Sequence, residues 1–216
     1  MLLDRVLRIV LVLTATVAIG GVVLLVTDPW GGEGGTTAVG PSGGGAVATA
    51  DVGGPFEVVD HTGQPFTEAD LRGDFSLIYF GYTYCPDVCP TELGVMTAAL
   101  GQLDPDLRQQ VQPYLVTIDP ARDTPEAMAD YVGLFSDDLI GLTGSEEQIT
   151  RIARAYRVFY QRVESAEFAE YLMDHSSYVY LMNPEGENAA VFPYGMAPDR
   201  MADGIRQAVA SYQPST

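Results

Sequence analysis

The chain has 216 residues, of which 29 are acidic and 11 basic, giving a formal net charge of -18, and every basic residue is arginine. So anionic a surface repels a phosphate backbone, which excludes nucleic acid as a partner and favours cations or a basic protein, while also keeping the chain soluble. The length suffices for one well-filled domain with attachments, and two cysteines alone do not assign a redox compartment.

Ile9 to Val26 is uncharged, with Arg5 and Arg8 before it and Thr27-Asp28-Pro29-Trp30 after it. Such a run is just long enough to cross a bilayer as one helix. The spacing predicts a cytoplasmic N-terminus over 1–8 and a transmembrane anchor over 9–27, with everything beyond Trp30 outside by the positive-inside rule. The expected location is therefore the cell inner membrane, single-pass, with the soluble domain on the periplasmic face. A cleavable signal peptide would need a small-x-small site close by, and Ala46-Val47-Ala48 lies too far downstream. Residues 28–51 are rich in Gly, Ala, Thr, Ser and Pro and read as a flexible tether, which leaves 52–216 as the folded domain.

Phe56 to Phe66 reads as a short hairpin around His61-Thr62-Gly63-Gln64, with His61 a solvated turn residue. Phe75 to Gly81 is an apolar run of strand length. A helical pattern begins at Pro90, with Leu93, Met96, Ala99, Leu100 and Leu103 on one face. Gln112 to Asp119 reads as a second buried strand, completing a β-α-β unit with parallel pairing. A helix is expected from Pro125 to Phe135, capped by Thr124, and another behind the capping box Ser145-Glu146-Glu147-Gln148, running to Tyr156. Phe159 to Val163, Tyr178 to Asn183 and Ala189 to Phe192 read as strands, and Asp199 to Ala210 as a closing helix.

Between the first buried strand and its helix stand Gly81-Tyr82-Thr83-Tyr84-Cys85-Pro86-Asp87-Val88-Cys89-Pro90, which hold both cysteines. Pro90 suits the first helical position, which places Cys89 at the helix N-terminus, where backbone N–H groups favour thiolate. Asp87 opposes that effect, so no net direction of pKa shift follows. A four-residue offset closed by a turn permits a disulfide, a redox pair or a shared soft metal ion. Ligands in open α/β sheets gather beyond the carboxyl ends of the strands, where Cys85 falls.

Asp119, Arg122 and Asp123 lie beyond the end of the neighbouring strand and read as caps and local ion pairs. His175 precedes the strand at Tyr178. Beside a strand such a histidine is either a hydrogen-bonded structural residue or a ligand. Two thiolates with one imidazole would suit copper, whereas structural zinc calls for a fourth ligand.

Taken together, Gly81 to Pro90, Thr117 to Thr124 and Asp174-His175-Ser176 resemble the Sco/SenC family of copper proteins in motif order and spacing, over about residues 52–211. The resemblance implies an α/β, thioredoxin-like fold with a central mixed sheet flanked by helices, preceded by one transmembrane helix. It implies a copper ion, Cu(I) or Cu(II), held by Cys85, Cys89 and His175, with Asp119 and Asp123 near the site but not assigned as ligands. It further implies a metallochaperone, rather than an enzyme, that delivers copper to the Cu(A) site of cytochrome c oxidase. Its partners would be the oxidase subunit carrying Cu(A), other copper chaperones and the membrane. Three departures separate it from other proteins of similar fold. Three residues rather than two divide the cysteines, and His175-Ser176-Ser177 stands where thioredoxins place a cis-proline. Tyr82 occupies the position of the peroxiredoxin threonine. The alternatives are a thiol–disulfide reductase that keeps Cu(A) cysteines reduced, using Cys85 and Cys89 as a redox pair, and a redox or copper sensor.

Overall fold

The computed structural model describes residues 51–164 and 171–214. The predicted cytoplasmic segment, anchor and most of the tether lie outside the described residues. Nine strands are found among the described residues: β1 Glu57–Asp60, β2 Pro65–Thr67, β3 Phe75–Gly81, β4 Val111–Thr117, β5 Ile140–Thr143, β6 Tyr160–Val163, β7 Leu172–His175, β8 Tyr178–Met182 and β9 Asn188–Pro193. The helices are α1 Val88–Leu100, α2 Pro105–Arg108, α3 Pro125–Val132, α4 Glu146–Ala155 and α5 Pro198–Ser211.

Seven strands form one mixed sheet in the order β2-β1-β5-β4-β3-β8-β9, and β6 pairs with β7 in a second, two-stranded sheet. β3 is parallel to β4 and β4 to β5, while β8 runs antiparallel to β3. The parallel strands are buried along nearly their whole length, which explains why Phe75 to Gly81 carries no polar alternation. Leu77, Tyr79, Phe80, Leu115 and Val116 have no solvent exposure and form the middle of the core. Helices α1 and α5 pack against each other, α3 packs on β5 and α4 on β1.

The expected elements are present with shifted ends. α1 begins at Val88 with Asp87 as its N-cap, so Cys89 lies inside the first turn, and Pro90 follows it at a position that still lacks an intrahelical acceptor for its N–H. The Ser145 capping box forms as read: Ser145 Oγ accepts from the Gln148 N–H at 3.2 Å, and Gln148 Oε1 accepts from the Ser145 N–H at 2.8 Å. Thr124 Oγ1 accepts from the Ala127 N–H at 3.3 Å. Four elements have no counterpart in the expectation: α2, β5, β7 and a 3-10 turn at Glu68–Leu71. β5 is four residues long and contains Gly141, whose missing side chain makes room for α3, since a Cβ there would sit 3.1 Å from Met128 and 3.2 Å from Val132. His61 is not merely solvated: its Nδ1 accepts the Gly141 N–H at 2.9 Å.

Candidate metal centre

The topology explains how two remote stretches meet. β3 carries the chain outward to Cys85, and β8 returns beside it antiparallel, with Val179 opposite Tyr79. The residues just before β8 therefore stand at the carboxyl end of β3. His175 is one of them, held at the end of β7 by pairing with Tyr160 across the small hairpin.

One ligand atom from each of Cys85, Cys89 and His175 lies within 4.8 Å of the other two. Cys89 Sγ is 3.5 Å from His175 Nε2, and the Cys89 N–H donates to Cys85 Sγ at 3.3 Å. Both cysteines are free; Cys85 is half-buried and Cys89 fully buried. His175 Nδ1 faces the Ser176 carbonyl at 3.1 Å. A carbonyl only accepts, so the neutral ring carries its proton on Nδ1 and turns the Nε2 lone pair toward the sulfurs. Tyr79 and Tyr82 flank the ring in T-shaped arrangements, with centroids 6.2 and 6.1 Å away.

Where sequence allowed no net direction, the structure divides the two thiols. Cys85 is lowered to about 4, first by the hydrogen bond from the Cys89 thiol, with the N–H groups of Cys89 and Asp87 adding to it against burial. Cys89 is pushed far up, first by that same hydrogen bond, then by burial and by the charge on Cys85. The N-terminal position of Cys89 on α1 does not prevail, because full burial and an adjacent thiolate both oppose a second negative charge.

Sequence reasoning assigned Asp119, Arg122 and Asp123 to local caps and ion pairs; the structure gives them a longer reach. Asp123 is buried and accepts from the Thr83 N–H at 3.1 Å, Thr83 Oγ1 at 2.6 Å and Thr117 Oγ1 at 2.6 Å. This tethers the segment that leads to Cys85. Asp119 pairs with Arg122 Nε at 2.5 Å and accepts from the Tyr171 hydroxyl at 2.7 Å, and Arg122 donates to the Tyr171 carbonyl at 3.1 Å. That tethers the segment that leads to His175. The Arg122 guanidinium also lies 3.7 Å from the Tyr171 ring centroid and 4.5 Å from that of Tyr84. A direct brace joins the two segments, as the Met173 N–H donates to the Tyr82 hydroxyl at 3.2 Å. The motif Asp119 to Asp123 was visible in the sequence, but nothing in it pointed to Tyr171 or Tyr82 as partners.

A thioredoxin-like domain with an asymmetric dithiol and an imidazole at the carboxyl edge of its sheet defines the class of protein. The SCO1/SenC family model matches residues 45–210, and the chain belongs to that family. It is 42% identical over 170 residues to the mouse (Mus musculus) mitochondrial SCO2 homolog, covering 77% of this chain and 66% of that protein. To the human (Homo sapiens) mitochondrial SCO1 homolog it is 41% identical over 167 residues, covering 75% of this chain and 54% of that protein. The chain thus spans about half to two thirds of the length of the curated relatives it matches. Among solved structures, Arabidopsis thaliana ScoI with copper bound is similar with a TM-score of 0.70 and 38% identity, covering 74% of this chain and 99% of that one.

These relatives overturn the expectation of a single-pass location at a bacterial cell inner membrane with the domain on the periplasmic face. Both named proteins are mitochondrial, and no helix among the described residues is long and apolar enough to cross a membrane.

Proposed function

We propose that this chain is a copper metallochaperone that carries one copper ion as cargo between Cys85, Cys89 and His175 and passes it to the Cu(A)-bearing subunit of cytochrome c oxidase. The observation that supports this most is the convergence of the three ligand atoms to within 4.8 Å. Bonds of 2.0–2.3 Å to a common centre require separations of at most about 4.6 Å, so ligation asks only for a small side-chain movement. Two sulfurs and one imidazole are a soft donor set that suits copper and leaves it accessible from the Cys85 side. The copper in the related ScoI structure and the family resemblance support the same cargo and recipient. Cys85 and Cys89 must be reduced to bind, so oxidation to a disulfide removes two of three ligands. Handover proceeds by ligand exchange, with incoming soft ligands displacing the protein's own one at a time. In this reading 52–216 is the working domain, 28–51 its tether and 9–27 a membrane anchor.

Titration of the reduced protein with Cu(I) tests the assignment. One equivalent is expected to bind, and Cys85→Ser, Cys89→Ser and His175→Ala should each weaken binding by about tenfold or more. Unchanged stoichiometry and affinity in all three variants would refute it.

The asymmetry of the thiols favours one second reading. Cys85, ionised and half-exposed, would attack a partner disulfide and release one partner thiolate; Cys89 would then displace the other, leaving a Cys85–Cys89 disulfide and a reduced partner. Reductase activity that survives His175→Ala and copper chelation would favour this alternative.

A further inference from the structure

Tyr79 has no solvent exposure, and among the described residues its hydroxyl has no hydrogen-bond partner. Such orphaned groups are rare, since the unfolded chain satisfies them with water. The surroundings narrow the reason. The Tyr79 ring lies edge-on to His175, and the point a Cβ on Gly81 would occupy is 2.9 Å from Tyr79 Cε1 and 3.1 Å from Cys89 Sγ. The Cys89 and Ser177 side chains are near enough to act on the hydroxyl electrostatically, though neither meets it in a closed hydrogen bond. Phenylalanine would fill the same space without stranding a polar atom.

We infer that Tyr79 is a positioning residue whose hydroxyl donates to the Cys89 sulfur when that sulfur is bound to copper. The inference rests on the copper reading of Cys85, Cys89 and His175. A protonated Cys89 thiol is a weak acceptor and leaves the Tyr79 hydroxyl unpaired. A copper-bound sulfur is a thiolate, and a charged acceptor roughly doubles the strength of a hydrogen bond. The same hydroxyl is thus a burden in the empty state and a support in the loaded one. It also withdraws electron density from one sulfur only, which makes Cys89 and Cys85 unequal donors.

Tyr79→Phe, compared with the unaltered protein in copper-free, Cu(I) and Cu(II) forms, tests this. The copper-free variant should melt at the same temperature or higher. Its Cu(I) affinity, measured by chelator competition, should fall about tenfold. The sulfur-to-Cu(II) charge-transfer band should move to longer wavelength, because loss of a donor raises the sulfur lone pairs; a purely structural role would leave the band in place. Site-specific 3-fluorotyrosine at position 79, a stronger donor with the ring retained, should move the band the opposite way and serves should the Phe variant misfold. If the unaltered protein takes up copper while the Tyr79→Phe band and affinity match it, this inference alone is overturned. If the unaltered protein takes up none, the copper reading falls and takes the inference with it.

Discussion

Asp123 holds Thr83, forty positions back along the chain, with both carboxylate oxygens: one accepts the Thr83 hydroxyl at 2.6 Å, the other the Thr83 N–H at 3.1 Å. The second oxygen also takes the Thr117 hydroxyl, so the end of β4 and the approach to Cys85 share one anchor. A carboxylate that is buried and this fully engaged acts as a structural pin, not as a ligand.

Asp123→Ala should therefore cost about 3 kcal/mol, because it strands a buried donor on Thr117 and half-buried donors on Thr83. Urea denaturation measures the loss, and Cu(I) affinity should fall with it as Cys85 loses its support. A pH series separates charge from contact. Burial raises the Asp123 carboxyl above its ordinary 3.8, against the hydrogen bonds from Thr117 and Thr83. The folded chain thus holds this proton more tightly than the unfolded one. The resulting stabilisation is complete below about pH 3.8 and is lost as pH rises through the higher folded value. Asp123→Asn lacks that titration, so the stability gap between the native protein and this variant should narrow as pH rises across that window. A gap that widens would contradict the assignment.

The divided thiols make a prediction about reactivity. Cys85 is lowered to about 4 while Cys89 is buried and pushed up. The thiolate is the nucleophile. Iodoacetamide at pH 6 should alkylate Cys85 and spare Cys89, as mapped by mass spectrometry, and the rate should drop as pH falls below about 4, where Cys85 gains its proton. Preferential labelling of Cys89 would reverse the assignment.

Gly81 closes β3 directly beneath the site. A methyl group there would sit 2.9 Å from the Tyr79 ring and 3.1 Å from Cys89 Sγ, with Leu115 at 3.4 Å. Gly81→Ala should cost roughly 1 to 3 kcal/mol through overpacking. The displaced sulfur should weaken Cu(I) binding by more than the stability loss alone accounts for, which calorimetry on the folded variant can check.

Tyr82→Phe removes the acceptor of the Met173 N–H while keeping the ring beside His175. Stability should fall by about 1 kcal/mol. Amide exchange at Met173 should accelerate, with exchange in β3 unchanged. Equal protection at Met173 in both proteins would show that the brace contributes nothing.

Much of this molecule was legible along the chain. Unbroken apolar runs identify β3 and β4 because strands buried on both faces leave no polar alternation, and Ser145 to Gln148 announces α4 because a capping box is entirely local. The cysteine motif, Thr117 to Thr124 and Asp174-His175-Ser176 together identified the family. What could not be read was set by contacts between remote residues. β5 and β7 are four residues each, too short for a period to emerge, and they are strands because β1, β4 and β6 pair with them. The nearness of His175 to Cys89 depends on β8 lying antiparallel to β3. The contrast between the two thiols depends on which of them the core encloses. Local chemistry follows from the order of the residues, whereas burial and long-range hydrogen bonds exist only after the sheet has brought its strands together.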